Sequence, residues 1–338
     1  MTAAVRRALA LVLLVAAGAG VAAGAPAKRA GASLSIRSGG AWREWWRADA
    51  APARWAAADA RVTGALAWRR LADGVEWAEA RLGGSAPVWR MRLVVARIDP
   101  ARVRLALAMD LDERLGRPAW NIDRAPREAL LAVNAGQFVQ TMPWGWVVVD
   151  GRQRLLPGKG PLSCAIAVDA AGRVRWIAGD SLGVSKREAE SAFQSYPVLL
   201  SDDGALPWEL REGGHGVNLA HRDARLAFGE TRDGRLLLAM TRFDALGEAA
   251  GALPIGPTTP EMAAVMGALG ARNAVMLDGG ISAQLVLREP ASGRRHRWPG
   301  LRKVPLALLV LPKQREVRPS ASAPRSPRSS APARRRAQ

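Results

Sequence analysis

The sequence predicts an α+β fold: a single sheet-rich domain with a mixed or antiparallel sheet and few helices. Three observations point there. Short apolar runs, alternating or continuous, recur through the middle of the chain, and several close in Asp-Gly or other glycine turns of the hairpin kind. One segment alone carries a clear set of helix start and stop signals. The connections between runs are mostly of hairpin length, and no fixed long period emerges.

Taken in order, the elements start with "VWRMRLVVARID" (88–99) and "VRLALAM" (103–109), which read as a pair of strands. "ALLAVNAGQF" (129–138) is a strand running into a glycine turn. "GWVVVDGR" (145–152), "CAIAVDAAGRVRWIAG" (164–179) and "YPVLLSDDG" (196–204) continue the pattern, followed by "ARLAFGETRDGRLLLAMT" (224–241) and "VPLALLVLP" (304–312). The helix is "TTPEMAAVMGALGA" (258–271). Thr258 or Thr259 is its cap, Pro260 an early helical position, Glu261 lies in the first turn, and Gly270 is the stop. Met262, Val265, Met266 and Leu269 make one apolar face suited to packing on a sheet.

Around this body, expected over residues 66–312, lie three segments of other character. Residues 1–27 read as an export signal. Arg6 and Arg7 precede the apolar "ALALVLLVAAGAGVAA", and Ala25-Pro26-Ala27 offers a cleavage site. The apolar run is short for a membrane span, so cleavage is the expectation, with an N-terminal anchor as the outcome if the leader stays. The protein is therefore expected to be periplasmic or secreted. Residues 28–65 are rich in Ala, Trp and Arg, and their order is not decided by composition. Residues 313–338 form a basic Pro/Ser/Arg tail that reads as disordered, with peripheral attachment to an anionic envelope as one use for it.

The net charge of +19 invites a nucleic-acid reading, but its distribution does not support one. Arginines crowd the leader and tail or stand singly in strands, and one Tyr and four Phe make a poor stacking platform. The single cysteine, Cys164, excludes an internal disulfide and sits in an alternating strand as a small apolar residue. No cofactor is called for. His215 and His221 have five residues between them and no acidic or thiol partners at metal-ligand spacing, so no metal is expected, and His215 is kept as a supporting acid or base beside a substrate.

Four polar groups stand at the ends of apolar runs: "NAGQF" (134–138), "QSYP" (194–197), "RLAFG" (225–229) and "DGGIS" (278–282). In this order, with the Thr-x-x-Glu helix before the last, they resemble the phosphodiester glycosidase family over roughly residues 66–312. That family's pattern runs Asn-Gly-Gly-Phe-Phe, Gln-x-Gly-Pro, Arg-Thr-Ala-Ile-Gly and Leu-Asp-Gly-Gly-Gly-Ser. Here Ala135, Gln137, Tyr196 and Ile281 stand where it has Gly, Phe, Gly and Gly. The resemblance implies hydrolysis of a sugar-1-phosphodiester such as a GlcNAc-1-phosphodiester, with a sugar phosphodiester or anionic glycan as partner.

Physical chemistry assigns the roles. The leaving group is a phosphate monoester, already a stable anion, so protonating it matters less than in ordinary glycoside hydrolysis. Asp278 is the candidate base, nucleophile or charge stabiliser. Arg225 can fork onto phosphate oxygens, and backbone N–H groups at Gly279 and Gly280 can approach an anion. Asn134, Gly136, Gln194 and Ser282 are placed along the substrate. Glu261 is carried as a third catalytic candidate, although a capping box with Thr258 explains it equally. Arg222 and Asp223 read as a local surface pair. Trp144 and Trp146 would stack on a sugar or pack at a rim. Two rival readings remain: a non-catalytic glycan-binding protein on the same fold, and an ordinary glycosidase pairing Asp278 with Glu261 or Glu212.

Overall fold

The computed structural model describes residues 32–84, 90–112, 114–160, 162–182, 188–213, 216–243 and 255–313. The leader, His215 and all but the first residue of the basic tail lie outside them.

The strands β1 (Ser33–Ser38), β2 (Ala41–Arg47), β3 (Arg69–Ala72), β4 (Val75–Gly84) and β5 (Arg90–Ile98) all enter one nine-stranded sheet. β6 (Val103–Met109) and β7 (Leu131–Asn134) start a five-stranded sheet, and the short β8 (Phe138–Val139) and β9 (Met142–Pro143) pair as a hairpin. β10 (Val147–Val149), β11 (Arg152–Leu155), β12 (Cys164–Val168), β13 (Val174–Ala178) and β14 (Ser191–Ser195) make a second five-stranded sheet. The chain returns to the large sheet with β15 (Val198–Leu200), β16 (Leu226–Thr231), β17 (Leu236–Phe243) and β18 (Ala271–Leu277). It completes the first small sheet with β19 (Leu285–Arg288), β20 (Arg295–Trp298) and β21 (Leu306–Pro312). Within the described residues the strand pairings are antiparallel, and the α-helices are three: α1 (Ala60–Thr63), α2 (Trp208–Glu212) and α3 (Thr259–Ala268). The expected α+β class holds.

The continuous apolar reading of the central strands has a simple cause: the large sheet is covered on both faces. In β17 all eight residues are buried. Leu236, Leu238 and Met240 face a core shared with both small sheets, including Leu131, Val133, Ile166 and Phe193. Leu237 and Ala239 face the other side, where they join Met262, Val265 and Met266 of α3. Each such Leu contributes about 1.5–3 kcal/mol on burial, so a strand with two apolar faces anchors two layers at once.

Helix α3 starts as its residues predict. The Thr258 hydroxyl accepts from Glu261 N at 3.3 Å and Thr258 N donates to Glu261 Oε2 at 2.8 Å, a reciprocal capping box with Pro260 in the first turn. The expectation of a single apolar face is corrected: nine of its ten residues are buried. Trp55 closes the side away from the sheet. A Cβ on Gly267 would stand 2.2 Å from the Trp55 ring, which explains a glycine inside a helix.

Trp55 belongs to the Ala/Trp/Arg segment, whose described residues, from 32 on, pack onto the domain. β1 pairs with both β2 and β4, burying Leu34, Ile36, Trp45 and Trp46. Cys164 is buried in β12, and desolvation pushes its thiol up to about 12, so it is a packing residue and not a nucleophile.

Candidate active site

The four polar groups meet because of strand direction. β16 runs antiparallel to β18 with Leu226 opposite Leu277, so Arg225, just before one strand, lies beside Asp278, just after the other. Asp278 N donates to Gly136 O at 2.8 Å, joining the large sheet to the turn after β7. Ser195, at the end of β14, donates its hydroxyl to Met276 O and ties in the third sheet. The site is therefore the junction where an end of each sheet comes together.

At its centre stands Asp278, with a side chain 18% exposed. Desolvation raises its carboxyl above the usual range. The Ser282 hydroxyl and the Arg302 guanidinium pull it down, and the charge of Asp223 pushes it up again. Arg302 Nη2 lies 3.3 Å from Asp278 Oδ2, while its Nε donates to Ser282 Oγ. The guanidinium also lies 4.4 Å over the Phe138 ring, so three groups hold it in place. Arg302 is 46% exposed at its side chain and stands at the mouth as a fixed cation. It is a candidate site residue that the sequence does not single out. In "GLRKVPLAL" nothing local separates it from the other arginines, and only the pairing that brings residue 302 to residue 278 reveals it.

Asp223 is the second surprise. It is no surface partner of Arg222, which forks onto Glu261 at 2.8 and 2.9 Å. Asp223 turns inward onto Gly280, where a Cβ would stand 2.7 Å and 3.0 Å from its two carboxyl oxygens. Its Oδ1 is buried without a hydrogen-bond partner among the described residues. Desolvation raises this carboxyl as well, against the charges of Arg225 and His221, which lower it.

The sequence pattern of the phosphodiester glycosidase family matches residues 127–311, more than half of the chain and the part that carries all four polar groups. The chain belongs to the phosphodiester glycosidase family. Among solved structures, the chain is similar to the catalytic domain of zebrafish N-acetylglucosamine-1-phosphodiester alpha-N-acetylglucosaminidase, auto-inhibited by its pro-peptide. The TM-score is 0.54 at 15% identity, covering 76% of this chain and 87% of that one. A hypothetical protein from Synechocystis gives 0.51 at 16% identity over 84% of this chain and 68% of that one. At these identities the likeness shows the fold. No curated protein matches the chain.

Against the family's motifs, the polar side chains divide into those that build the site and those that face its opening. Asn134, expected on substrate, is 1% exposed and holds backbone: its Nδ2 donates to Asp278 O at 2.7 Å and its Oδ1 accepts from Gln284 N at 3.0 Å. Gln194, also expected on substrate, accepts from Trp146 N and Gly158 N and donates to Gly158 O and Ser163 Oγ, so it ties Trp146, Gly158 and Ser163 together. Gly136 has φ +65° and supplies the carbonyl that receives Asp278 N. Ser282 is fully buried and orients Asp278 and Arg302 from beneath.

Three catalytic or anion-binding expectations change. Glu261 is 3% exposed, and its oxygens accept from Arg222 and Thr258 N, so it caps α3 and anchors a loop. Arg225 donates Nε to Pro257 O at 2.9 Å and Nη2 to His221 O at 2.6 Å, which makes it a loop clamp and a counter-charge to Asp223 more than a free phosphate fork. Gly280 N already donates to Ala224 O at 2.7 Å, and a Cβ on Gly279 would collide with that same carbonyl at 2.4 Å. The two glycines admit the 223–225 segment, and with Asp223 lying on Gly280 they form no anion nest. His215 lies outside the described residues.

The rim is aromatic and apolar. Tyr196 is 41% exposed and meets Trp144 edge-on at 4.8 Å, while Gln137 donates to Tyr196 O. Trp146 is buried in the second small sheet, so of the two tryptophans only Trp144 is placed for a sugar face. Ile281 is 38% exposed, in a short 3-10 turn over Gly280–Ser282.

Proposed function

We propose that the protein is an exported hydrolase that cleaves the bond between an anomeric carbon and phosphate in a sugar-1-phosphodiester, GlcNAc-1-phosphodiester-like, of an envelope or extracellular glycan. The observation that carries this reading is the Asp278–Ser282–Arg302 cluster: a mostly buried carboxylate fixed next to a partly exposed guanidinium. The two charges suit the two ends of the breaking bond. Arg302 meets the phosphate oxygens as negative charge collects on the leaving group. Asp278 faces the anomeric carbon, where positive charge develops in an oxocarbenium-like transition state, as nucleophile or as electrostatic partner. Trp144 and Tyr196 offer ring faces and edges to the sugar.

Asp278 works ionised, so its raised pKa sets the acid limb of the rate profile. Activity climbs with pH through a value above the ordinary carboxylate range. Export rests on the leader at residues 1–27, and the basic tail supports peripheral attachment to an anionic envelope.

The test is a substrate panel: a GlcNAc-1-phosphodiester, the corresponding 1-phosphomonoester and a neutral O-glycoside, with released reducing sugar as the readout. Preference for the phosphodiester supports the reading. Preference for the neutral glycoside would point to an ordinary glycosidase, and saturable binding of all three without turnover to a glycan-binding protein.

A further inference from the structure

Asp223 has no part in the mechanism above, yet the fold keeps its carboxylate at the site in a costly state. Its Oδ1 is buried without a hydrogen-bond partner among the described residues, and leaving such a group unpaired is expensive unless something uses it. Three features hold it there. Gly280, at φ +56°, has no Cβ to displace it. Arg225, clamped by Pro257 O and His221 O, supplies a positive charge from the adjoining backbone. His221 Nε2 lies 3.7 Å from Asp223 Oδ2, with a side chain 59% exposed. The carboxylate thus touches the turn that carries Asp278 on one side and a solvent-facing imidazole on the other.

We propose that Asp223 is a second catalytic carboxylate, the base that takes the proton of the attacking water, with His221 as its outlet to solvent. The assignment rests on the phosphodiester glycosidase reading of the site. In the step, the water oxygen bonds to the anomeric carbon. The carbon–oxygen bond to phosphate breaks, and its electron pair stays on the phosphate oxygen facing Arg302. One water proton passes to the Asp223 carboxylate, whose Oδ2 lies 3.7 Å from His221 Nε2, and then through His221 to solvent, and the products are the free sugar and a phosphate monoester. Nothing is oxidised or reduced. The groups that set the charge around Asp223 are His221, Arg222 and Arg225 on its own segment, Asp278 from the turn after β18, Arg302 through Asp278, and Glu261 of α3 through Arg222 and Arg225. The sequence places an acid two residues before the "RLAFG" motif, but no local signal distinguishes a surface Asp there from one folded onto Gly280.

The experiment uses the full chain with Asp223→Asn and a GlcNAc-1-phosphodiester, with and without sodium azide. Azide carries no proton, so it attacks the anomeric carbon without a base. The expected result is a fall in kcat of about 10²–10⁴ with KM within a few-fold, and recovery in azide with glycosyl azide as product. His221→Gln is expected to slow turnover by no more than about tenfold, recovered by small diffusible buffers. A kcat for Asp223→Asn within threefold of wild type, or a loss that azide does not recover in a folded variant, overturns the assignment alone. Gly280→Ala is a second variant: its Cβ would push the carboxylate aside, and it should lower kcat with Asp223 still present. Wild type that releases no sugar from any phosphodiester overturns the underlying reading, and the assignment with it.

Discussion

At Asp278, burial and hydrogen bonding pull in opposite directions, and burial wins: the carboxyl sits above its ordinary pKa despite Arg302 and Ser282. The linkage has a definite sign. A carboxyl raised in the folded state contributes stability that is present below its unfolded pKa and lost as pH rises through the folded value. Asp278→Asn stays neutral throughout. In thermal melts it should match wild type in acid and unfold at higher temperature near neutrality, while catalysis is lost. Arg302→Ala should lower kcat/KM by about 10²–10³, and Arg302→Lys should restore part of it, since charge returns without the planar fork. Of these two residues only Asp278 was legible in the sequence, because "LDGG" follows a capped helix at the end of an apolar run. The amides of Asn134 and Gln194, expected on substrate, hold backbone, which depends on neighbours 144 and 36 residues away.

Helix α3 is the element whose sequence signals are most complete, and its Glu261 carries a structural pairing that the local sequence does not show. Thr258, Pro260 and Glu261 predicted the start, and the capping box is there. The same Glu261 is also a catalytic candidate on sequence grounds. Its second partner, Arg222, arrives from a loop thirty-nine residues away and was invisible in the helix. Glu261→Gln should cost about 1–3 kcal/mol in a denaturant titration and leave kcat of the folded protein within about twofold. A loss of turnover at unchanged stability would return Glu261 to the mechanism. The helix's buried far side was equally hidden, because its cover, Trp55, comes from a segment whose composition does not reveal order. Trp55→Ala should destabilise by about 3–5 kcal/mol, since Gly267 has no side chain with which to fill the space.

Across the whole molecule, the fold class and the polar strand ends that meet at the candidate site are readable from alternation and turns, whereas the division into separate sheets is not. Register between distant strands is a tertiary choice, and the apolar runs of β17 and β18 suit either face. The site lies where the sheets meet, so its precision depends on the whole fold. Asn134→Ala should show this: with Asp278 O and Gln284 N left unpaired, it should lose about 2–4 kcal/mol and also lower kcat, though its amide is placed on backbone and not on the reacting bond. Whether Asp278 drives cleavage of a sugar–phosphate bond is decided by single-turnover release of sugar from a GlcNAc-1-phosphodiester with wild type and Asp278→Asn. Wild type should release sugar at a rate rising from acid to neutral pH, and the variant should fall by about 10³ or more. Equal rates in the two proteins would contradict that role for Asp278.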